Sequence, residues 1–248
     1  MEDDENPMPD TMSDPEKVAA TVRLLTLDKQ TENHFLGHRK PGGIGRIYGG
    51  QVVAQALAAA QNTVDPARRP HSLHAYFLRG GDEDYRIEFS VARDFDGGSF
   101  SNRRVIAAQN GVPILNLTAS FHRQEDGLSH QMPMPEVLMP EDLETEDEVM
   151  KRLGRPIKAM AAFRRNRSYE IRMPPISPDG RLNDRGHAYF WFRMKAPLPA
   201  DTAMHRLVLA YISDYGLLSA PMAMHGRAWW RGGFRAASLD HAIWFHAD

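Results

Sequence analysis

The chain has 248 residues, 42% hydrophobic and 25% charged, which suits one large soluble domain or two of moderate size. A formal net charge of -2 gives no electrostatic reason to expect nucleic acid or an anionic membrane as partner. With no cysteine, disulfides and thiolate chemistry are excluded, and a reducing, cytoplasmic setting is expected.

Residues 1–15 open with an acidic, proline-dotted run, the reverse of a signal peptide's basic start, and are expected to be a disordered lead. Apolar residues at Val18, Val22, Leu24, Leu25 and Leu27 predict a short helix, followed by a strand near His34–Leu36. Pro41-Gly-Gly-Ile-Gly-Arg46 reads as loop.

Tyr48-Gly-Gly-Gln-Val-Val-Ala-Gln-Ala-Leu-Ala-Ala-Ala60 then predicts a helix of unusual kind. Val52, Val53, Ala56, Leu57 and Ala60 form one broad apolar face, and the rest is Gln51, Gln55 and more alanine. A helix without a charged face has to be wrapped, most simply by a curved sheet. Gly49 and Gly50 stand at its start, where free backbone N–H groups and the positive dipole end face outward. They either admit a polar ligand atom close to the backbone or simply serve a tight turn.

Four strand-like segments follow, at 71–79, 85–93, 99–109 and 113–122, separated by turn residues. Asn110-Gly111 between two apolar runs is a strong hairpin signal. The first half, 16–123, therefore reads as α+β. Residues 124–150, with their prolines, methionines and acids, read as a linker ending in a short helix at 146–153, the acidic run being a solvated face. In 151–248, strand signals at 168–173 and 187–194 precede a second apolar helix over 204–219, whose longest apolar run, Leu207 to Ile212, is far too short to span a bilayer. Asp214 lies in the middle of that predicted helix. Finally, Leu239-Asp-His-Ala-Ile-Trp-Phe-His246 echoes Ser72-Leu-His-Ala-Tyr-Phe-Leu-Arg79, with His241-Ala242 set against His74-Ala75. The chain reads as an internal duplication.

Few chemical constellations survive inspection. There is no Gly-x-Ser-x-Gly elbow and no Walker A loop, and the i, i+3 pair His71 and His74 does not suit a metal on a strand, so no metal is expected. Of Arg103 and Arg104, alternation lets only one meet a ligand phosphate while the other is surface charge. Asp214 carries the most information. On an apolar helix its carboxylate loses solvation, which makes it a better base unless backbone donors or an arginine hold it.

Several stretches resemble the type II acyl-CoA thioesterases, double-hotdog enzymes in which each sheet wraps a long central helix. They are Tyr48-Gly-Gly-Gln-Val-Val-Ala-Gln-Ala-Leu57, His71–Arg79, Gly98-Ser-Phe-Ser-Asn-Arg-Arg-Val105, Gln109-Asn-Gly111, Leu117-Thr-Ala-Ser-Phe121, Tyr211-Ile-Ser-Asp-Tyr215 and Leu239–His246. The resemblance runs from about Val18 to His246 in family order. It implies hydrolysis of acyl-CoA to free acid and CoA by an activated water, without a cofactor. Asp214 matches the family aspartate and Ser238 the hydroxyl residue, while Gly49, Gly50, Gln51 and Arg104 are candidate substrate contacts. The family's third water-holding residue, a glutamine on the last strand of the second hotdog, has no match here.

The chain ends soon after His241, so the second copy is expected to lack its last strands. Its exposed edge would lead to homo-oligomers or marginal stability, with weak hydrolysis in the 248-residue form. The longer turn Arg93-Asp-Phe-Asp-Gly-Gly98 is expected to displace Arg93 from any ligand role. Two other readings stand beside this one: a non-catalytic acyl-CoA-binding or assembly module, and a hotdog enoyl-thioester hydratase. The latter would need an Asp or Glu paired with a His facing the acyl chain.

Overall fold

A computed structural model describes residues 12–40, 45–154, 166–175, 188–218, 221–222 and 237–247. Most of the predicted lead, the loop at 41–44, the strand start at His187 and the helix end at Ser219 fall outside these residues.

The first helix, α1 (Asp14–Leu25), begins with a capping box in which Ser13 and Glu16 satisfy each other's backbone N–H groups. A short strand that the pattern did not announce, β1 (Leu27–Lys29), pairs antiparallel with β2 (His34–Gly37). The helix with no charged face is α2 (Gly49–Gln61), and every residue from Gly50 to Ala60 is buried. Gln55, fully buried, donates from its amide nitrogen to the carbonyls of Leu24 at 2.7 Å and His38 at 3.0 Å, which satisfies its donor side, while its Oε1 has no partner among the described residues.

Strands β3 (Arg68–Phe77), β4 (Glu88–Asp96), β5 (Phe100–Gln109) and β6 (Val112–Arg123) lie near the expected segments. Pro70 sits in β3 at a register shift, where a missing N–H does no harm. Asn110 and Gly111 turn β5 into β6 with φ of 50° and 75°, the doubly positive geometry that a two-residue hairpin requires. Helix α2 packs against β1 through β6, and burying a side chain such as Leu57 stabilises by roughly 1.5–3 kcal/mol. The sheet therefore wraps the helix, as the absence of a charged face demanded.

The second half departs from expectation. Among the described residues, β9 (Asp240–Trp244) joins the first sheet beside β3, giving the antiparallel order β1-β2-β4-β5-β6-β3-β9. Strands β7 (Tyr169–Arg172) and β8 (Trp191–Met194) form a two-stranded ribbon of their own. The second helix, α4 (Thr202–Ser213), packs on α1 and α2 and is capped by the Asp201 side chain, which accepts from the Ala203 N–H at 3.0 Å. It stops at Ser213, so Asp214 is its C-cap and not an interior residue. Gly216, with φ of 80°, takes the chain out of helical geometry, and Leu217 and Leu218 are 58% and 39% exposed rather than core.

The acidic segment is not wholly solvated either. Thr145 and Glu148 form a capping box for α3 (Glu146–Arg152), whose first residue, Glu146, is 1% exposed. Its carboxylate accepts from Arg167 at 2.5 Å and from the Tyr215 hydroxyl. The partners lie far along the chain, which is why local charge density misled.

Candidate active site

Two helix ends meet at the site. The first turn of α2 crosses the last turn of α4 so closely that a Cβ on Gly50 would collide with the Tyr211 carbonyl oxygen. Glycine is needed there for close approach rather than for its backbone angles. The crossing brings Asp214 to the start of α2, where its carboxylate accepts a hydrogen bond from the Gly50 N–H and another from the Ser238 hydroxyl. Asp214 Oδ2 lies against Gly49, 2.7 Å from where a Cβ would stand. The polar atom that these glycines admit is thus supplied by the protein itself.

Opposing effects act on this carboxylate. Burial raises its pKa from 3.8 to about 6, against the lowering effect of the Gly50 and Ser238 hydrogen bonds. The negative end of α4 adds to the rise and the positive end of α2 opposes it. The side chain is 9% exposed, and its Oδ1 has no hydrogen-bond partner among the described residues. His241 Nδ1 stands 3.9 Å from that oxygen. A carboxylate that is mostly ionised at neutral pH, with a pKa lifted towards that range and one oxygen unsatisfied, is suited to accepting a proton.

Asp214 and Ser238 line a cavity of about 320 Å³ together with Gly49. Its walls mix apolar side chains, Ile47, Tyr48, Val52, Phe77 and Ile114 among them, with two cations, Arg46 and Arg79. Such a space can offer one ligand both apolar contact and a cation.

The matches of this chain agree with that chemistry. Residues 38–122 match a family model described as the acyl-CoA thioesterase N-terminal domain, and residues 159–248 match one described as acyl-CoA thioesterase. The chain is 34% identical over 228 residues to acyl-CoA thioesterase 2 of Haemophilus influenzae, covering 91% of this chain and 80% of that protein. The chain belongs to the type II acyl-CoA thioesterase family. A solved acyl-CoA thioesterase II from Mycobacterium marinum superposes with a TM-score of 0.72 at 35% identity, covering 93% of this chain and 79% of that one. A hot dog fold protein of unknown function from Alicyclobacillus acidocaldarius, 19% identical, gives 0.70 and covers 92% of this chain and 79% of that one. The architecture is an α+β hotdog fold.

Within this thioesterase family member, the residues singled out in the sequence separate into two groups. Asp214, Ser238, Gly49 and Gly50 come together, with Gly49 lining the cavity and Gly50 behind it. Gln51 is 3% exposed, in the first turn of α2, and does not line the cavity. Arg104 is on the solvent side of β5, ion-paired to Asp94 at 3.1 Å, and is not part of the cavity wall. Its neighbour Arg103 is 1% exposed and donates to Thr63 and Asp96, a structural role. Arg93 is held by Asn33 at 2.8 Å and Glu32 at 2.8 Å. Sequence reasoning missed Arg46, Arg79, Tyr48 and His241. Arg79 had a signal, as the cation that closes the first strand motif. His241 was matched to His74, which faces the other way.

Proposed function

We propose that this protein hydrolyses acyl-CoA thioesters to a free acid and CoA, with Asp214 as general base on a water and Ser238 as a second holder of that water. The observation that carries the reading is the buried Asp214 carboxylate with a pKa near 6, on the wall of a cavity with apolar and cationic lining at a helix N-terminus. Ionised Asp214 takes one proton from the water as its oxygen adds to the thioester carbonyl carbon. The carbonyl oxygen gains negative charge, which the positive end of α2 at Gly49 favours. The C–S bond then breaks, and the departing thiolate recovers the proton from Asp214. The apolar wall suits the acyl chain, and Arg46 and Arg79 suit the anionic part of the CoA.

His241 bears on the hydratase reading. It lies beside Asp214 but does not line the cavity, so it is not set to protonate an enoyl chain. Thiol release followed with a chromogenic trap tests the hydrolase reading. Asp214→Asn is expected to lower turnover by about 10²–10⁴-fold with the fold retained. A well-folded variant with parental turnover would sink the assignment, and water addition to enoyl-CoA without thiol release would favour the hydratase.

In the same reading, residues 16–123 and 151–248 are two hotdog units joined by 124–150. The packing of α4 on α2 and the antiparallel pairing of β9 with β3 support a two-fold relation. Amide exchange as slow in α4 as in α2 is the expected result. An α4 that exchanges at the rate of a peripheral helix would count against a second unit.

A further inference from the structure

One buried titratable group near the site has no part in the scheme above. His241, the inward-facing residue of β9, has a side chain only 4% exposed. Its Nε2 lies 2.9 Å from Ser213 Oγ, and the Ser213 hydroxyl donates to the Ala210 carbonyl at 3.0 Å. A hydroxyl has one hydrogen. With that hydrogen on Ala210, Ser213 can only accept from His241, so Nε2 carries the ring's N–H. Burial disfavours the doubly protonated ring, opposed by the charge of neighbouring Asp240. In the neutral ring Nδ1 is then a bare acceptor, pointing at Asp214 Oδ1 across 3.9 Å. Two acceptors have nothing to share, which accounts for the gap and for the unpartnered Oδ1. Once the carboxyl group carries a proton on Oδ1, the same pair becomes donor and acceptor.

We propose that His241 is a positioning residue for the base: locked by Ser213 in its Nε2–H form, it offers Asp214 a hydrogen bond only while Asp214 is protonated. While Asp214 is ionised the bare Nδ1 faces Oδ1 with no hydrogen to offer, so the ring favours neutralisation of the carboxylate, and removal of the water's proton is such a step. The proton count is unchanged, since His241 neither gains nor loses a hydrogen. The proposal rests on the reading of Asp214 as base. Other groups around that carboxylate act differently. From α2 come the neutral Tyr48 and the Gly50 N–H, and from the end of α4 come Tyr211 and Tyr215, the latter bound to Glu146. Arg46 and Arg79 are further lining residues of the cavity, while Asp240 is turned outward onto His74.

The test is the pH profile of kcat/KM for thiol release in the full chain, with melting temperature alongside. Ser213→Ala removes the tautomer lock without touching Asp214. The ring is then free to place its hydrogen on Nδ1 and donate to the carboxylate. The acid limb should fall by about one pH unit and kcat by about three- to tenfold, as expected for a weakened base, with KM unchanged. His241→Asn, whose amide N–H can sit where Nδ1 was, should do the same. His241→Gln keeps an amide within reach of Ser213 but has no acceptor at Nδ1, so it should fail to restore the parental limb. An acid limb that stays in place in both Ser213→Ala and His241→Asn would overturn the proposal. So would full recovery in His241→Gln, which would reduce His241 to an anchor for Ser213. Failure of the base reading is seen separately, as parental activity in Asp214→Asn.

Discussion

His74-Ala75 and His241-Ala242 share two letters and lie on strands hydrogen-bonded to each other, yet their imidazoles live on opposite sides of the sheet. His74 is 47% exposed and meets Asp240 at 3.1 Å, whereas His241 is 4% exposed and faces Asp214 at 3.9 Å. The register explains it: His74 lies opposite Ala242, and Ala75 opposite His241. Cross-strand partners share a face and successive residues alternate, so a match of His with His is one residue out of step. The pairing that preserves facing sets Ala75 against His241 and His74 against Asp240. At the inner position the first strand therefore has an alanine and the second an imidazole beside a carboxylate. Equal letters do not make equal positions, and a one-residue slip moves a histidine from solvent to the candidate site.

The comparison can be broken or sharpened by experiment. The largest effect should come from the inner side, as the loss of about 10²–10⁴-fold in Asp214→Asn. Next is Glu146, buried against Arg167 and Tyr215. Glu146→Gln leaves the Arg167 charge without a counterion and should cost about 3–5 kcal/mol in urea unfolding. Unchanged stability would return Glu146 to the solvated face that its acidic neighbours suggest.

Asp214 should also show a stability signature independent of turnover. Its folded pKa is raised to about 6 from 3.8, so the protonated form is the one favoured by the fold. The associated stability is complete below about pH 4 and is lost as pH rises through 6. Asp214→Asn, neutral throughout, should gain up to about 3 kcal/mol over the parent at pH 8, the gain shrinking towards pH 4. Melting curves at the two pH values check this. A constant difference would show that the carboxylate is not strained by burial.

How much of this was legible depends on the range of the interaction. The wrapped helix was, because burial of all sides of α2 is written in consecutive residues from Gly50 to Ala60. So was the Asn110-Gly111 turn, whose positive φ values need those residue types. The end of α4 was misjudged: Leu217 and Leu218 continue the apolar pattern, while Gly216 two residues past Asp214 was the signal to stop. Asp214 was found as an oddity in an apolar run, and its actual setting between two helix ends depends on Gly50, far away in sequence. Glu146 and Arg167 had no local sign, and Arg104 was preferred over the buried Arg103 because alternation tells that two neighbours differ but not which one faces in.

The smallest effect should come from the outer histidine. His74 tilts against Tyr76, with ring centroids 4.8 Å apart, and its Nε2 is 3.1 Å from Asp240 Oδ2 on the solvent side. An exposed pair of this kind is worth at most about 1 kcal/mol, since water and salt compete for both partners. His74→Ala should therefore shift unfolding by less than about 1 kcal/mol, less still at high salt, and leave both turnover and the acid limb in place. Because β3 runs beside β9, the substitution also tests whether the outer contact fixes the strand that carries His241. If His74→Ala moved the acid limb as far as a change at His241, the two faces would be coupled through the β3–β9 pairing, and the sharp division between an outer and an inner histidine would fail.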